Sequence, residues 1–166
     1  MFDFISYFQK LVGRNRLARD KGFEPSACSG IGGLEGLLDG MRRARAFACV
    51  SDTCDEYITQ RSGAYFRRRV FTVFLVERYD TRRAGAYQEA LTDCRELFRQ
   101  LHTAFIVDEG RLRSALYYLD VASIRAAELG AHFLDGCTGL YFMLGIDEPT
   151  DLQYNPEEWT DDETEE

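Results

Sequence analysis

Val70-Phe71-Thr72-Val73-Phe74-Leu75-Val76 is almost entirely β-branched or aromatic, and in an extended chain both of its faces are mostly apolar. A strand of this kind has to be covered on both sides, which is the pattern of a central strand. Asp80-Thr81 breaks the run and can cap a following helix. Tyr87, Ala90, Leu91, Cys94, Leu97, Phe98, Leu101, Ala104 and Phe105 then recur at steps of three and four, one apolar stripe on about five helical turns. Gln88, Glu89, Asp93, Arg95, Glu96, Arg99 and Gln100 fall on the opposite side. The spacing predicts a strand paired with a long amphipathic helix, and the remaining elements pack around that pair.

Upstream, Phe2, Phe4, Ile5, Phe8, Leu11 and Val12 suggest a short amphipathic helix that stops at Gly13. Residues 14–27 are polar and broken by Gly22 and Pro25, as in a loop, and Leu34, Leu37, Leu38 and Met41 predict a short helix ending at Arg42, Arg43 and Arg45. Phe47-Ala48-Cys49-Val50 reads as a first strand, Asp52 to Gly63 as a polar turn region, and Tyr65 to Tyr79 as the second strand. After the long helix, Asp108-Glu109-Gly110-Arg111 reads as a loop. The stretch 115–130 fits strand or helix, with a strand favoured from Ile124 to Phe133. Asp135-Gly136 is a turn signal, Gly139 to Ile146 a return strand, and Glu148-Pro149 its end. The expectation is an α+β fold: a small mixed or antiparallel sheet of about four strands packed against a long amphipathic helix, with short N-terminal helices. Residues 1–152 form a single domain, and 153–166 an acidic tail expected to be disordered.

The net charge of −8 sits in that tail. Eight carboxylates and no base lie between Asp151 and Glu166, leaving twenty acids and twenty bases in the rest of the chain. A neutral body lacks the clustered positive charge that phosphate backbones require, so nucleic-acid binding is not expected. No apolar run approaches the length of a membrane span, and the start Met1-Phe2-Asp3-Phe4-Ile5 lacks a signal peptide's basic opening. An intracellular protein with no membrane partner is expected. The five cysteines, Cys28, Cys49, Cys54, Cys94 and Cys137, are an odd, scattered set without disulfide or zinc spacing.

Catalytic motifs are missing. Ser29-Gly30-Ile31-Gly32-Gly33 lacks the Gly-Lys-Ser/Thr ending of a phosphate loop, no strand is expected before it, and it reads as a turn. His102 and His132 have no nucleophile or carboxylate at catalytic spacing, and Asp52, Asp55 and Glu56 match no cation loop. No catalytic residue, cofactor or metal ligand is assigned. The candidate surface is charged instead: Arg67, Arg68 and Arg69 at the head of the central strand, with Arg42 and Arg43. On a strand the three successive arginines alternate between faces, as a solvated strand end or as contacts to an acidic partner surface. Glu157, Glu158, Asp161 and Asp162 form a candidate acidic surface, either an inert solubilising tail or a dock for a basic surface.

The strand Arg69 to Val76, the helix Tyr87 to Phe105, the closing hairpin Ala131 to Ile146 and the ending Asp147-Glu148-Pro149-Thr150-Asp151-Leu152 together resemble the tail-terminator and tail-completion proteins of long-tailed bacteriophages. The likeness runs from about Phe47 to Leu152. It implies a non-enzymatic virion assembly protein that forms a homo-oligomeric, commonly hexameric, ring on the end of the tail tube. Its partners would be copies of itself, tail tube proteins and head-completion proteins, in the cytoplasm of a bacterial host or in the virion. A head–tail connector is the next expectation, and a stand-alone bacterial ligand-binding or enzymatic domain the one after.

Overall fold

Strand β3 (Ala64–Arg78) is the middle of the sheet, as its two apolar faces require. The computed structural model describes residues 1–29, 32, 33, 36, 44–130 and 136–159. In chain order these form helices α1 (Phe4–Arg14) and α2 (Arg16–Lys21), strands β1 (Phe23–Cys28), β2 (Ala46–Arg61) and β3, and helix α3 (Ala86–Ser114). Strands β4 (Tyr118–Leu119), β5 (Arg125–Leu129) and β6 (Cys137–Pro149) follow. The described sheet is six-stranded, in the order β1-β2-β3-β6-β4, with β5 also pairing with β6. The chain is therefore mixed α+β, with six strands among the described residues rather than about four. All pairings are antiparallel except β1 with β2.

The alternation of β3 divides the core. Phe71, Val73 and Leu75 turn to the helical face, where they join Ala46, Ala48 and Val50 of β2, Leu140, Phe142, Leu144 and Ile146 of β6, and α1 and α3. Phe74 and Val76 turn to the opposite face, with Phe47, Cys49, Cys28, Leu129 and Cys137. The stripe on α3 is as its spacing predicts: Ala90, Leu91, Cys94, Leu97, Leu101 and Phe105 are all buried. Rings from three elements meet at Phe105, 6.4 Å from Phe4 and 6.2 Å from Phe142. Where β6 crosses β3 the backbones are so close that a Cβ on Gly139 would lie 1.9 Å from the Leu75 carbonyl oxygen. Only glycine fits there.

Several boundaries differ from the expectation, each for a local reason. The stretch 14–27 is not a loop. Asn15 caps α2 by accepting from the Ala18 N–H, Gly22 ends it in the left-handed region, and β1 follows. A strand thus does precede Ser29, although the glycine-rich stretch after it lies partly outside the described residues. The expected helix at 34–41, with Arg42 and Arg43, also lies outside them, apart from Gly36. Asp52 to Arg61, expected as a turn region, continues β2. Asp80-Thr81 does not cap α3: Asp80 accepts from the Arg82 N–H in a turn, and Gly85 is the N-cap.

Helix α3 also passes through the expected loop at Asp108–Arg111. Gly110 costs an exposed helix about 1 kcal/mol. That is offset by burial of Leu112, by the Glu109–Arg113 pair one turn apart, and by Tyr7, whose hydroxyl donates to Asp108 at 2.9 Å. The helix ends at Leu116 in the left-handed region (φ 63°), with the Tyr117 N–H closing on the Leu112 carbonyl at 3.0 Å. The expected strand Ile124–Phe133 is observed as β5, with the last part of that range outside the described residues. β6 begins two residues before the expected start and runs on to Pro149.

Leu97 is fully buried between α3 and the sheet. Replacing it with Ala should cost roughly 2–5 kcal/mol. Thermal melts of the two proteins measure this, and a variant melting within a degree or two of the parent would contradict the packing described.

Candidate assembly surface

The three successive arginines of β3 do alternate between faces, and each finds a carboxylate in its own chain. Their register sets this up, because Arg67 lies opposite Glu148 and Arg68 opposite Asp147 on β6. On the helical face Arg69 pairs with Glu148 and donates to the Phe2 carbonyl at 2.8 Å, while Arg67 approaches Glu148 at 3.6 Å. Glu148 also accepts from the Phe2 N–H at 3.2 Å, which ties the N-terminus to the sheet. On the other face Arg68 grips Asp147 through two bonds, 2.6 and 2.9 Å, and reaches Asp120 at 3.1 Å. Arg61, at the tip of the β2–β3 hairpin, adds a contact of 2.5 Å to Asp147.

Asp147 and Glu148 are buried, and so is Arg69; Arg67 and Arg68 are partly exposed. Their ion pairs are shielded and geometrically fixed, unlike a solvated strand end. Asp147, Glu148 and Asp120 are the partners that sequence inspection missed. The available signal was the register: once β3 and β6 are adjacent, three arginines face two acids.

A second charged centre sits under the N-terminal part of α3. Glu77 is buried and accepts from Arg45 at 3.1 and 3.2 Å, while its other oxygen, Oε2, has no hydrogen-bond partner. It borders a cavity of about 390 Å³ with Lys21, Arg45, Asp93 and Glu89 in its wall. Burial raises the Glu77 carboxyl above its ordinary range, and nearby Asp93 adds to the rise against the pull of Arg45.

Cys28 and Cys49 lie within hydrogen-bond reach of each other, with the Ser26 hydroxyl 2.8 Å from the Cys49 thiol, and the remaining chemically active side chains are dispersed. His102 Nε2 lies 2.8 Å from the Val121 carbonyl, and His132 is outside the described residues. All five cysteines are free, four of them buried. Asp52, Asp55 and Glu56 are spread along β2, and Asp52 accepts from the Ser29 hydroxyl at 2.7 Å. Among the described residues no group of three or more His, Cys, Asp or Glu could hold a metal ion. No described helix is long and apolar enough to cross a membrane.

What the surface does offer is open strand. β1 covers β2 only from Ala46 to Ser51, so beyond that point the outer edge of β2 has no strand partner among the described residues. From Asp52 to Arg61 most of its side chains are exposed, including Tyr57 and Ile58. At the other end of the sheet, β5 is paired on its β6 side alone among the described residues. Past β6 the chain leaves the body: Leu152, Tyr154 and Trp159 are exposed, and the Tyr154 and Trp159 rings stack 6.0 Å apart. Glu157 and Glu158 lie in an exposed turn within this arm, while Asp161 and Asp162 are outside the described residues. No protein-family model, curated protein or solved structure matches the chain.

Two outcomes test the charged centres. Changing Asp147 to Asn leaves Asp120 as the carboxylate paired with Arg68 among the described residues and should cost about 3 kcal/mol, measurable by denaturant unfolding. Glu77 follows the opposite sign from a salt-bridged surface acid. Because its folded pKa is raised, its contribution is fully present below the unfolded pKa and is lost as pH rises through the folded value. The melting temperature of the parent, measured against Glu77→Gln, should therefore improve as pH falls toward the ordinary glutamate range of about 4.5. A constant difference as pH falls would show that Glu77 does not change its ionisation.

Proposed function

We propose that the chain is a non-enzymatic assembly protein of the long-tailed phage or prophage type, which self-associates into a ring on the end of a tail tube and joins tail to head. The observation that supports it best is the sheet itself, which among the described residues has an open edge at each end and a hairpin running past its β1 neighbour. Unpaired edges are aggregation hazards that proteins usually shorten or cover. Two of them on opposite sides of one subunit suit a heterologous interface that closes into a ring. The order hairpin, long helix, closing strands also agrees with the tail-terminator resemblance. Arg67, the most exposed of the three strand arginines, remains a candidate boundary residue, while Arg69 is committed to Glu148.

A second reading is ligand binding. It is favoured by a groove of about 460 Å³ on the sheet face away from α3, lined by Val70, Phe74, Leu129, Tyr141 and Met143. Its wall is largely apolar, and a small apolar ligand would suit it.

The acidic arm fits the assembly reading, since exposed aromatics on a charged segment can dock on a basic neighbour. Removing residues 155–166 should leave the melting temperature within a degree or two of the parent, because the described part of this segment is exposed. A large loss would show that the arm is part of the body. The assembly reading is tested by light scattering over a concentration range, together with binding to a long-tailed phage tail tube protein. Self-association or tube binding is expected. A monomer that binds no tube protein would overturn the proposal.

A further inference from the structure

The arm that follows Pro149 carries a preformed aromatic pair. Asn155 accepts from the Glu157 N–H at 3.1 Å and opens a tight turn that starts at Pro156, and across this turn the Tyr154 and Trp159 rings stack on each other. The two rings remain 71% and 66% exposed. Rings held out in water by a turn are surface suited to a contact, because little ordering is left to be done on binding. Glu157 and Glu158 stand beside them, and residues 151–166 carry eight acids and no base. The complementary surface has an apolar wall and a basic rim.

A groove of that composition, about 520 Å³, lies between α1 and the last turns of α3. Phe2, Tyr7, Leu11 and Leu112 form its apolar wall, and Lys10, Arg14 and Arg111 its basic rim. Arg14 and Arg111 are mostly exposed and share one carboxylate, Asp108, at 3.5 and 3.4 Å, which also accepts from the Tyr7 hydroxyl. Lys10 makes no ion pair among the described residues. Asp3, the acid of the wall, caps α1 through the Ser6 N–H. Three bases therefore face two acids that are already engaged, and their long side chains can turn to an arriving carboxylate. The other cavities described above differ. The groove of about 460 Å³ has no base in its wall, and the cavity beside Glu77 has acids and bases in equal number.

The arm is not folded onto its own body, since residues 151–159 are exposed throughout. Extended, residues 150–159 span at most about 35 Å, enough to reach a neighbour. Arm and groove are different surfaces of one subunit, so a contact between them runs head to tail, the heterologous geometry from which rings are built.

We propose that the arm of one copy seats in the α1–α3 groove of the next, with Tyr154 and Trp159 on the apolar wall and Glu157 and Glu158 on Lys10, Arg14 and Arg111. This rests on the ring reading and names its contact. The rings supply the buried area, and the charges select the groove.

Trp159 is the single tryptophan of the chain, so its fluorescence reports the arm alone. The emission of the full chain should move to shorter wavelength as concentration rises, in step with the mass from light scattering. The double variant Lys10→Glu, Arg111→Glu should weaken association roughly tenfold or more, keep the circular dichroism of the parent and lose the emission shift. If that variant fails to fold, Lys10→Gln with Arg111→Gln carries the same comparison with a smaller loss. A second full-length variant, Tyr154→Ala with Trp159→Ala, keeps the groove but lacks the rings. Neither variant should associate with itself. Mixed in equal amounts they should form a one-to-one complex, in which the shifted emission comes from the arm of the groove variant.

A parent that associates with unchanged emission, or a groove variant that keeps the parent's mass, overturns the arm exchange and leaves the ring reading standing. A mixture that stays apart overturns it in the same way. Emission already shifted at the lowest concentration and independent of it would place the arm on its own body, which also overturns the exchange. A parent that stays monomeric at its highest soluble concentration overturns it too, while a ring built only on a tail end survives through tube binding.

Discussion

Everything in this fold depends on the pairing of β3 with β6, which runs without interruption from Phe66–Pro149 to Arg78–Cys137. Two strands this long, apolar on both faces, are stable in water only when covered. The helical face is covered by α1 and α3, and Gly139 is the point where the two strands approach too closely for any other residue. Because β6 is the last strand of the body, this pairing also joins the two ends of the domain. The Phe2 backbone is bound by Arg69 and Glu148, so the N-terminus is held at the end of the central pair.

The same register explains the handling of charge. Arg67, Arg68 and Arg69 would be costly so close to a core if they lacked counter-ions, since a buried, unpaired ion costs several kcal/mol. β6 supplies the compensation through Asp147 and Glu148, at the places opposite and diagonal to the arginines. The cluster is thus first a structural clamp that fastens the hairpin tip, through Arg61, to the end of β6. This leaves the charges of the open edges, Arg125 on one side and Asp55 and Glu56 on the other, as edge charges without an ion-pair partner among the described residues.

Burial and open strand edge are divided between different parts of the sheet. Its middle strands carry the core on both faces. The far part of β2 and most of β5 contribute little burial of their own, and their outer edges have no strand partner among the described residues. A surface of this kind suits association by strand addition, in which main-chain bonds give affinity and side chains give register. The acidic arm beyond Pro149 adds exposed aromatics next to carboxylates.

The residues alone determined the elements whose side chains are sorted by burial. The α3 stripe, the two-faced strand at Val70–Val76 and the N-terminal helix at Phe4–Val12 are legible because apolar period and packing coincide there. Elements that lie outside the core carry no such period. Asp52–Arg61 looks like a turn because a strand solvated on both faces has no apolar alternation, and 14–27 looks like a loop because α2 and β1 are short and capped by polar residues. Tertiary structure alone decided the partners. The meeting of Arg68 with Asp147, of Arg69 with Glu148, and the burial of Glu77 beside Arg45 are set by which strands become neighbours, across sequence separations no local pattern spans. Which strand edges remain open is likewise a property of sheet order, because an edge is defined by the absence of a neighbour and not by any residue in it.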